Sequence, residues 1–329
     1  MGQGLARRQD RTARKLQLNT VTAMPLFSLT PPILMVTDIP ATHPRVPYFE
    51  RMISLLASGG ITCRLDIDGA RYAGKLAMDA VTSGAARMAW VNASHLEAID
   101  PALGVLNLPF FLDDAVLGLT ACTDRALHMI DRYTASGGLR TLGMMRGADQ
   151  LFVSHRELPD NLASMENLRV RVAGPGVYGS IMRALDAVPV AMPIPAIAGA
   201  LEGASLDRLF TSPGGWQTQL GMAAPHALRV PGLMLINYVL LVNADWYEAL
   251  PSETQITLRN VADQCVTHAW RATEKDDNDA LAATVQEGAR ITVAVDASAW
   301  RDKLEPLKTC HLTRYPAISA GFLELAVES

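Results

Sequence analysis

The sequence predicts a layered α/β fold with enough chain for two domains. From about residue 32 onward, segments with the apolar pattern of strands alternate with segments whose apolar residues recur at helical spacing. The chain has 329 residues, of which 49% are apolar, and this is sufficient for two buried cores. It contains no internal repeat and no low-complexity segment. A globular protein with two α/β domains is therefore the expectation.

The first part of the chain has a β/α rhythm. Its predicted strands are short apolar or alternating runs at 33–38, 61–67 and 87–91. Its predicted helices have apolar residues three or four positions apart and lie at 43–58 and around 75–82. The order of strand, helix, strand, helix and strand is that of a layered domain.

A second β/α series follows a predicted helix at 113–134. It contains a helix that begins after Gly176 and a short helix that Pro195 opens. The strands of this series are apolar or alternating runs, predicted at 139–145, 150–155, 168–173, 187–193 and 207–211. The last strand leads into Ser212 and Gly214, where backbone amides can receive an anion.

The last third of the chain is predicted to be mostly helical, with strands at 237–243 and 291–295. The spacing of Ser252 and Gln255 predicts a capping box at the start of a long helix that continues to near residue 285. The remainder is predicted as helix, with breaks at Pro306 and Pro316. The long helix has sufficient length to span both domains.

Charge and hydropathy exclude two classes of interaction. The formal net charge is −4 and the pI is about 6.0, with no lysine or arginine block beyond the first 15 residues, so nucleic acid is not an expected partner. The longest apolar stretch, 230–242, has about 13 residues, whereas a membrane span needs about 20. This stretch suits a buried strand pair.

The N-terminal segment allows two interpretations. Residues 1–16 are basic and 17–30 are mildly apolar, which is similar to the start of an export signal, yet polar residues interrupt the apolar part and no clean cleavage site follows. Residues 1–30 are therefore either a basic tail or a poorly matching signal segment.

The cysteine pattern predicts neither a zinc site nor a redox dithiol. Four cysteines are scattered without a close pair, which favours small buried side chains: Cys63, Cys122, Cys265 and Cys310. A disulfide between Cys265 and Cys310 stays open for an oxidising compartment.

The sequence provides no motif for catalysis. It contains no glycine-rich dinucleotide turn, no phosphate-binding Gly-Lys-Ser/Thr, no zinc-protease helix and no nucleophile elbow. The histidines are dispersed, and single ones such as His95 and His226 are interpreted as surface or satisfied core residues. No acidic cluster suggests a metal site. We therefore predict no catalytic residue, no cofactor and no metal.

Arg171 is the most informative single residue. It lies in Leu-Arg-Val-Arg-Val, where alternation places Arg169 and Arg171 on one face of a strand that is otherwise suited to burial. A guanidinium stays charged when it is desolvated, and its planar donors match a carboxylate. The pattern leaves two interpretations open: a clamp for a buried acid, or a surface or structural ion-pair residue.

Five ordered segments between about Thr37 and Ala262 resemble one family. They are ATHPRVPYFERM (41–52), SGAARMAWVNASHL (83–96), GVLNLPFFLDD (104–114), NLRVRVAGPGVYGSIMRALDAVPVAMPIPA (167–196) and NYVLLVNADWYEALPSETQ (237–255). These segments are similar to the solute receptors of TRAP (tripartite ATP-independent periplasmic) transporters, in the dicarboxylate-receptor-like group. The resemblance implies two α/β lobes with mixed sheets and flanking helices, a ligand cleft between the lobes, and a long helix that spans both.

The resemblance also implies roles for individual residues. Arg171 matches the carboxylate-clamping arginine, whereas Gln150 stands where many members have a second arginine. Thr211 and Ser212 replace a usual asparagine, and Ile194 replaces an aromatic residue. These departures favour a monocarboxylate or an apolar acid over a sugar acid.

Two residues that follow the strand at 87–91, Asn92 and Ser94, are candidate ligand donors of the first lobe, and the alternative that they cap a helix stays open.

The resulting expectation is a periplasmic, non-enzymatic receptor that binds a small organic acid and delivers it to the membrane permease subunits of a TRAP transporter. We expect a monomer, with lobe I formed by 31–148 and 237–276 and lobe II by 149–236 and 277–329. Two alternatives remain: a sensory or scavenging module of the same fold, and an enzyme on a two-lobed scaffold.

Overall fold

A computed structural model describes residues 32–192, 196–203 and 205–328. In these ranges the chain forms two β-sheets with helices packed around them. The N-terminal segment 1–30, with its two interpretations, lies outside the described residues. The predicted α/β class is confirmed.

The strands are short apart from the two longest, β4 and β10. In chain order they are β1 (Ile33–Thr37), β2 (Cys63–Asp66), β3 (Met88–Asn92), β4 (Leu139–Asp149), β5 (Leu151–Ser154), β6 (Arg169–Val172), β7 (Val188–Ala191), β8 (Arg208–Thr211), β9 (His226–Arg229), β10 (Leu235–Asn243) and β11 (Arg290–Val293).

The helices range from single turns to one very long helix. In chain order they are α1 (Val46–Ser58), α2 (Leu76–Thr82), α3 (Asp114–Leu117), α4 (Thr120–Thr134), α5 (Val177–Ala184), α6 (Ile197–Glu202), α7 (Pro213–Gln219), α8 (Ala244–Glu248), α9 (Ser252–Gln286), α10 (Ser298–Arg314) and α11 (Pro316–Glu328). Short 3₁₀ segments include Ala93–Ala98 and Pro101–Asn107.

Both sheets are mixed. The first has the order β2-β1-β3-β10-β4, with β1 parallel to β2 and β3 and with β10 antiparallel to β3 and β4. The second has the order β11-β9-β5-β8-β6-β7, in which β5 runs antiparallel to β8 and β9. The mixed sheets agree with the prediction.

The chain crosses between the sheets at three places in the described region, and two of these crossings are short. β4 belongs to the first sheet and ends at Asp149, while β5 begins the second sheet at Leu151, so Gln150 lies at the first crossing. The return crossing runs from β9 to β10, through residues 230–234. The third crossing is made by α9, which lies between β10 and β11, so two short connections and one long helix join the two halves of the molecule.

The long helix α9 packs against elements of both sheets. Its 35 residues contact α1 and β4 on the side of the first sheet and α7 on the side of the second. Small and apolar side chains such as Leu258, Ala262 and Ala269 form its buried face. The predicted long spanning helix is confirmed.

Strand alternation gives the second sheet two buried faces. Phe152 and Phe210 point into the main core, where their rings lie 4.9 Å apart. Val153 and Leu209 point to the opposite face and pack with Trp216 in a smaller cluster. Both faces are therefore covered at the central strands, whereas the edge strands β7 and β11 are partly exposed.

The predicted helix 113–134 is interrupted. It divides into α3 and α4 because Leu119 is extended, with φ −82° and ψ 123°. The hydroxyl of Thr123 donates to the carbonyls of Leu117 and Leu119 and so stabilises the break. Asp113 caps α3, since its side chain accepts hydrogen bonds from the amides of Ala115 and Val116.

The predicted capping box at Ser252 and Gln255 is wrong. Pro251 occupies the extended N-cap position, so Ser252 is already the first helical residue. Gln255 Nε2 instead donates to the Leu250 carbonyl at 3.0 Å. The helix therefore begins one residue earlier than the motif requires.

The two C-terminal prolines differ in effect. Pro316 begins α11 as predicted, whereas Pro306 lies inside α10 and does not end it. Pro306 has no N–H to donate to the carbonyl of Asp302, four residues earlier. Both residues are exposed, so water can bond to that carbonyl instead.

Two strand predictions needed correction. β4 continues to Asp149, four residues beyond its predicted end, and β9 was not predicted. The apolar stretch 230–242 is not a strand pair, because it forms the return crossing and then the single strand β10.

Candidate functional site

A cavity of about 80 Å³ lies between the two sheets. Its walls come from the loop after β1, the ends of β3 and β8, the crossing at Gln150, and strands β6 and β10. Five of the predicted ligand-binding residues line it together: Asn92, Gln150, Arg171, Thr211 and Ser212. The fold thus brings to one place side chains that are up to 120 positions apart in the sequence.

Arg171 is a buried charge in the cavity wall. It is only 7% exposed, and its Nε donates to the Met192 carbonyl at 2.9 Å. Within the described ranges, no carboxylate lies within 4.0 Å of its guanidinium. Burial lowers its pKa to about 10, so the side chain is still a cation at neutral pH. This is an arrangement that favours an anionic ligand.

Arg169 has the other role that the pattern left open. Its Nε and Nη2 each lie 2.9 Å from a carboxylate oxygen of Asp207, and its side chain is 42% exposed. The surface ion pair therefore belongs to Arg169, while Arg171 faces the cavity.

Ser212 and Thr211 lie at the end of β8. Ser212 Oγ accepts a hydrogen bond of 3.0 Å from the Gly215 amide and caps α7. The Gly215 amide at this predicted anion-receiving junction is therefore already bonded. Thr211 lines the cavity without such a capping bond.

The two candidate donors after β3 separate. Asn92 lines the cavity, and its Oδ1 caps the following 3₁₀ segment by accepting from the Ser94 amide at 2.9 Å. Ser94 is buried but does not line the cavity. Capping accounts for one end of the Asn92 side chain, and its amide nitrogen is left for other contacts.

Gln150 and Ile194 complete the predicted set. Gln150 is 3% exposed at the crossing between the lobes, with its Nε2 at 3.5 Å from the Asp149 carbonyl. Ile194 lies outside the described residues.

The cavity also contains polar residues that sequence reasoning did not select. Asp38 follows β1, and its Oδ2 lies 2.9 Å from His95 Nε2 and 3.4 Å from the Asn92 amide. His95 was interpreted as a surface or core residue, and the structure places it in the cavity wall. A signal was available: β1 and β3 are parallel neighbours, and polar residues at the carboxyl ends of such strands meet at one edge.

His43 and Tyr238 add neutral hydrogen-bonding groups to the cavity wall. His43 Nδ1 accepts from the Arg45 amide at 3.2 Å, which places the imidazole proton on Nε2. Burial, with a contribution from Arg45, lowers the pKa of His43 to about 3, so it is uncharged at neutral pH. Burial raises the pKa of Tyr238 well above its usual value, so its hydroxyl stays protonated.

A buried ion-pair network supports the cavity where the strands cross. Asp277 of α9 bonds to Arg45 at 2.5 Å and to Arg146 of β4 at 2.8 Å. Arg146 also pairs with Asp114, and Asp149 at the end of β4 pairs with Arg229 of β9 at 3.0 Å. The network ties the long helix to the crossing strand and places each buried guanidinium beside a carboxylate.

Other sequence predictions concern thiols, metals and membranes. All four cysteines are free: Cys265 is buried in α9 and Cys310 is exposed on α10, so the disulfide left open by the sequence is not formed. Among the described residues, no group of three histidine, cysteine or acidic side chains could hold a metal ion. None of the helices within the same ranges is long and apolar enough to cross a membrane.

Comparison with known proteins points to one family. Residues 36–311 match the model for the bacterial extracellular solute-binding proteins of family 7, DctP. No curated protein sequence matches the chain.

Several solved structures share the fold. A TRAP periplasmic solute-binding protein from Chromohalobacter salexigens with bound D-glucuronate has a TM-score of 0.81 at 17% identity, with 90% of this chain and all of that chain covered. One from Bradyrhizobium sp. BTAi1 in complex with D-galacturonate has a TM-score of 0.80 at 20% identity, with 90% and 99% covered. DctP6 of Bordetella pertussis, which binds pyroglutamic acid, has a TM-score of 0.80 at 18% identity over the same shares.

Proposed function

The chain belongs to family 7 of the bacterial extracellular solute-binding proteins, the DctP family, and from this premise we propose that its interlobe cavity captures a small organic acid for a TRAP transporter. Structural relatives bind glucuronate, galacturonate or pyroglutamate, and each of these ligands carries a carboxylate. The family consists of solute-binding proteins, which supports a receptor that performs no catalysis.

Arg171 is the observation that carries the proposal. A buried guanidinium without a nearby carboxylate in the described region is costly, because a charge that has lost its hydration needs a partner of opposite sign. A ligand carboxylate supplies that partner and matches the planar donors of Arg171. Gln150, Thr211, Ser212 and Asn92 would then shape specificity around the bound acid.

Lobe closure would couple binding to transport. An acid that contacts Arg171 on the second sheet and residues such as Asn92 on the first makes its full set of contacts only when the lobes are closed. The closed form is what membrane permease subunits would recognise. In this proposal the lobes keep the predicted boundaries, the receptor acts as a monomer, and its location is periplasmic.

Replacement of Arg171 by alanine tests the proposal. A screen of monocarboxylates and dicarboxylates by thermal and chemical unfolding should identify an acid that stabilises the wild-type protein, by about 2.7 kcal/mol at 100 times its Kd. We expect Arg171→Ala to lose this stabilisation and to be no less stable without ligand, since it removes a desolvated charge.

Arg169→Ala is the matched control, because it removes an arginine from the same strand but from the exposed ion pair. It should bind the acid as the wild type does. Retention of affinity in Arg171→Ala would contradict the proposed clamp, and the absence of any stabilising acid would contradict the proposed ligand class.

A further inference from the structure

The cavity contains a carboxylate as well as a guanidinium. Asp38 lines it from the first sheet and is nearly buried, with a side chain that is 5% exposed. Arg171 lines it from the second sheet. The proposed acid-binding site therefore contains one fixed positively charged group and one fixed negatively charged group.

These two groups do not neutralise each other. The polar partner of Asp38 is His95, whose Nε2 lies 2.9 Å from Oδ2, and the salt bridges of the described residues include none between Asp38 and Arg171. Tyr178 and Tyr238 lie near Arg171, but burial raises the pKa of both hydroxyls, so they are uncharged at neutral pH and provide no counter-charge. Each charge is left for a different end of one ligand.

Asp38 has unused hydrogen-bonding capacity. Its Oδ2 is held by His95 and the Asn92 amide, whereas Oδ1 is buried and accepts no hydrogen bond from the described residues. A buried acceptor without a donor costs free energy comparable to a lost hydrogen bond. Asp38 Oδ1 therefore requires a hydrogen-bond donor and not another acceptor.

The size of the cavity limits the ligand. Its volume is about 80 Å³. An apolar cavity of roughly 150 Å³ holds one benzene molecule. On this scale, an acid of roughly three or four carbons fits the volume better than a six-carbon sugar acid does.

Building on the proposed function, we infer that the ligand is a small monocarboxylate with a hydroxyl or ammonium group, whose carboxylate binds Arg171 and whose donor group binds Asp38. An unsubstituted fatty acid would leave Asp38 without a donor. An oxo acid would place an acceptor against a carboxylate, and a dicarboxylate would place a second negative charge there. This inference keeps the expected monocarboxylate and sets aside the alternative of an apolar acid, because Asp38 requires a hydrogen-bond donor.

Matched acids test the inference on the wild-type protein. Isothermal titration calorimetry would compare acids of three to six carbons in sets that differ only in one substituent at carbon 2, 3 or 4: none, oxo, hydroxy or amino. Malonate and succinate represent the dicarboxylates. Within the set that binds best, we expect the hydroxy or amino acid to bind at least about tenfold more tightly than its unsubstituted and oxo counterparts.

The variant Asp38→Asn tests whether Asp38 is the residue that binds the hydroxyl or ammonium group of the ligand. It should reduce the discrimination between hydroxy or amino acids and unsubstituted acids to less than about threefold, with the larger loss for an ammonium group, because the attracting charge is removed. The affinity for oxo acids should increase, since the amide of the new asparagine can donate a hydrogen bond to the oxo group. Asp302→Asn, an exposed carboxylate on α10, is the control and should retain wild-type preferences.

The outcomes separate the inference from the proposed function. If unsubstituted, oxo or dicarboxylic acids bind as tightly as donor-bearing ones and Arg171→Ala abolishes that binding, the inference about Asp38 is overturned and the receptor function stands. If no acid binds at all, both are overturned. The comparison of ligands on the wild-type protein tests the preference for donor-bearing acids even if Asp38→Asn does not fold.

Discussion

Arg169 and Arg171 show how burial decides the role of a residue. They are two positions apart on β6, and alternation placed them on one face of the strand. Asp207 satisfies Arg169 at the exposed end, while Arg171 is enclosed by the cavity and its carbonyl contact with Met192. The same side-chain chemistry therefore forms a surface ion pair in one case and part of the cavity wall in the other.

Glu97 is a second residue whose environment changes its chemistry. It lies in the 3₁₀ segment after β3, and its two carboxyl oxygens accept hydrogen bonds from the Val177 amide at the start of α5, at 3.0 and 3.2 Å. Gly176 has no side chain there, and an added Cβ would overlap the Glu97 carboxyl. Burial raises the pKa of Glu97 to about 7, despite opposing effects from Val177, Asn107 and His95.

This pKa predicts a pH dependence of stability. The folded-state pKa of Glu97 lies above its usual 4.5, so its contribution to stability is complete below about pH 4.5 and is lost as the pH rises through about 7. Relative to Glu97→Gln, the wild type should lose about 1 to 3 kcal/mol of unfolding free energy between pH 5 and pH 8. Urea denaturation at intervals of half a pH unit measures this difference.

Glu253→Gln provides the control for Glu97, because Glu253 is an exposed carboxyl in the first turn of α9. The difference between this variant and the wild type should stay nearly constant over the same pH interval. If the difference in unfolding free energy between the wild type and Glu97→Gln were also constant with pH, burial of the Glu97 charge would not affect stability.

At the scale of the element, the glycines of β4 mark its irregularities. Arg146 pairs with Asn237 and Ala148 pairs with Ile236, so Gly147 is the extra residue of a β-bulge. Its carbonyl accepts a hydrogen bond of 2.6 Å from Arg45 Nε. The bulge thus turns a backbone acceptor toward the buried ion-pair network.

Gly147 is predicted to be intolerant of a side chain. An added Cβ would lie 2.7 Å from the Ile236 carbonyl oxygen, which is backbone and cannot rotate away. Gly147→Ala should therefore destabilise the protein by about 1 to 3 kcal/mol, as overpacking does. Gly199→Ala in α6 meets nothing within 4 Å and should be neutral or stabilise by up to about 1 kcal/mol.

Unfolding in guanidinium chloride compares these two variants directly. Equal stability of Gly147→Ala and Gly199→Ala would mean that β4 and β10 separate easily at the bulge, contrary to the close packing of their backbones.

The errors in the predicted helix boundaries have local causes that hydrophobic patterns do not encode. Extended backbone at Leu119 divides a continuous apolar pattern, and Pro251 as the N-cap moves the start of α9 one residue earlier than the motif at Ser252 predicts. By contrast, the long helix and the β/α rhythm depend on many residues at once, so single exceptions did not alter them.

At the scale of the whole molecule, the two halves meet closely beside the cavity. The loop before α1 contains Pro44, and α7 contains Gly214, where an added Cβ would lie 2.2 Å from Pro44 Cγ. His43 and Ser212, the neighbours of these two residues, both line the cavity. Close approach of the lobes at this point therefore requires glycine.

Gly214→Ala is expected to oppose closure. A methyl group against the rigid ring of Pro44 should shift the lobes toward an open arrangement and weaken acid binding by about tenfold or more, since affinity falls with the population of the competent state. The unfolding free energy without ligand should change little. Titration calorimetry and small-angle X-ray scattering, with and without the acid that the Arg171 experiment identifies, measure both effects.

Gly199→Ala is again the control and should close and bind as the wild type does. Unchanged affinity of Gly214→Ala would indicate that the approach of Pro44 to Gly214 is not part of the ligand-binding state.

The sequence by itself determined the α/β class, the long helix and the family, and it singled out Arg171 as a candidate ligand contact. These follow from periodic patterns and ordered local segments, which are properties of neighbouring residues. Only the tertiary structure showed that Asp38, His43, His95 and Tyr238 share a cavity with Arg171, and that Ser94 does not. Residues that are distant in sequence meet only after the crossing strands and α9 have placed the two sheets against each other, so the local pattern around each of them carries no information about its partners.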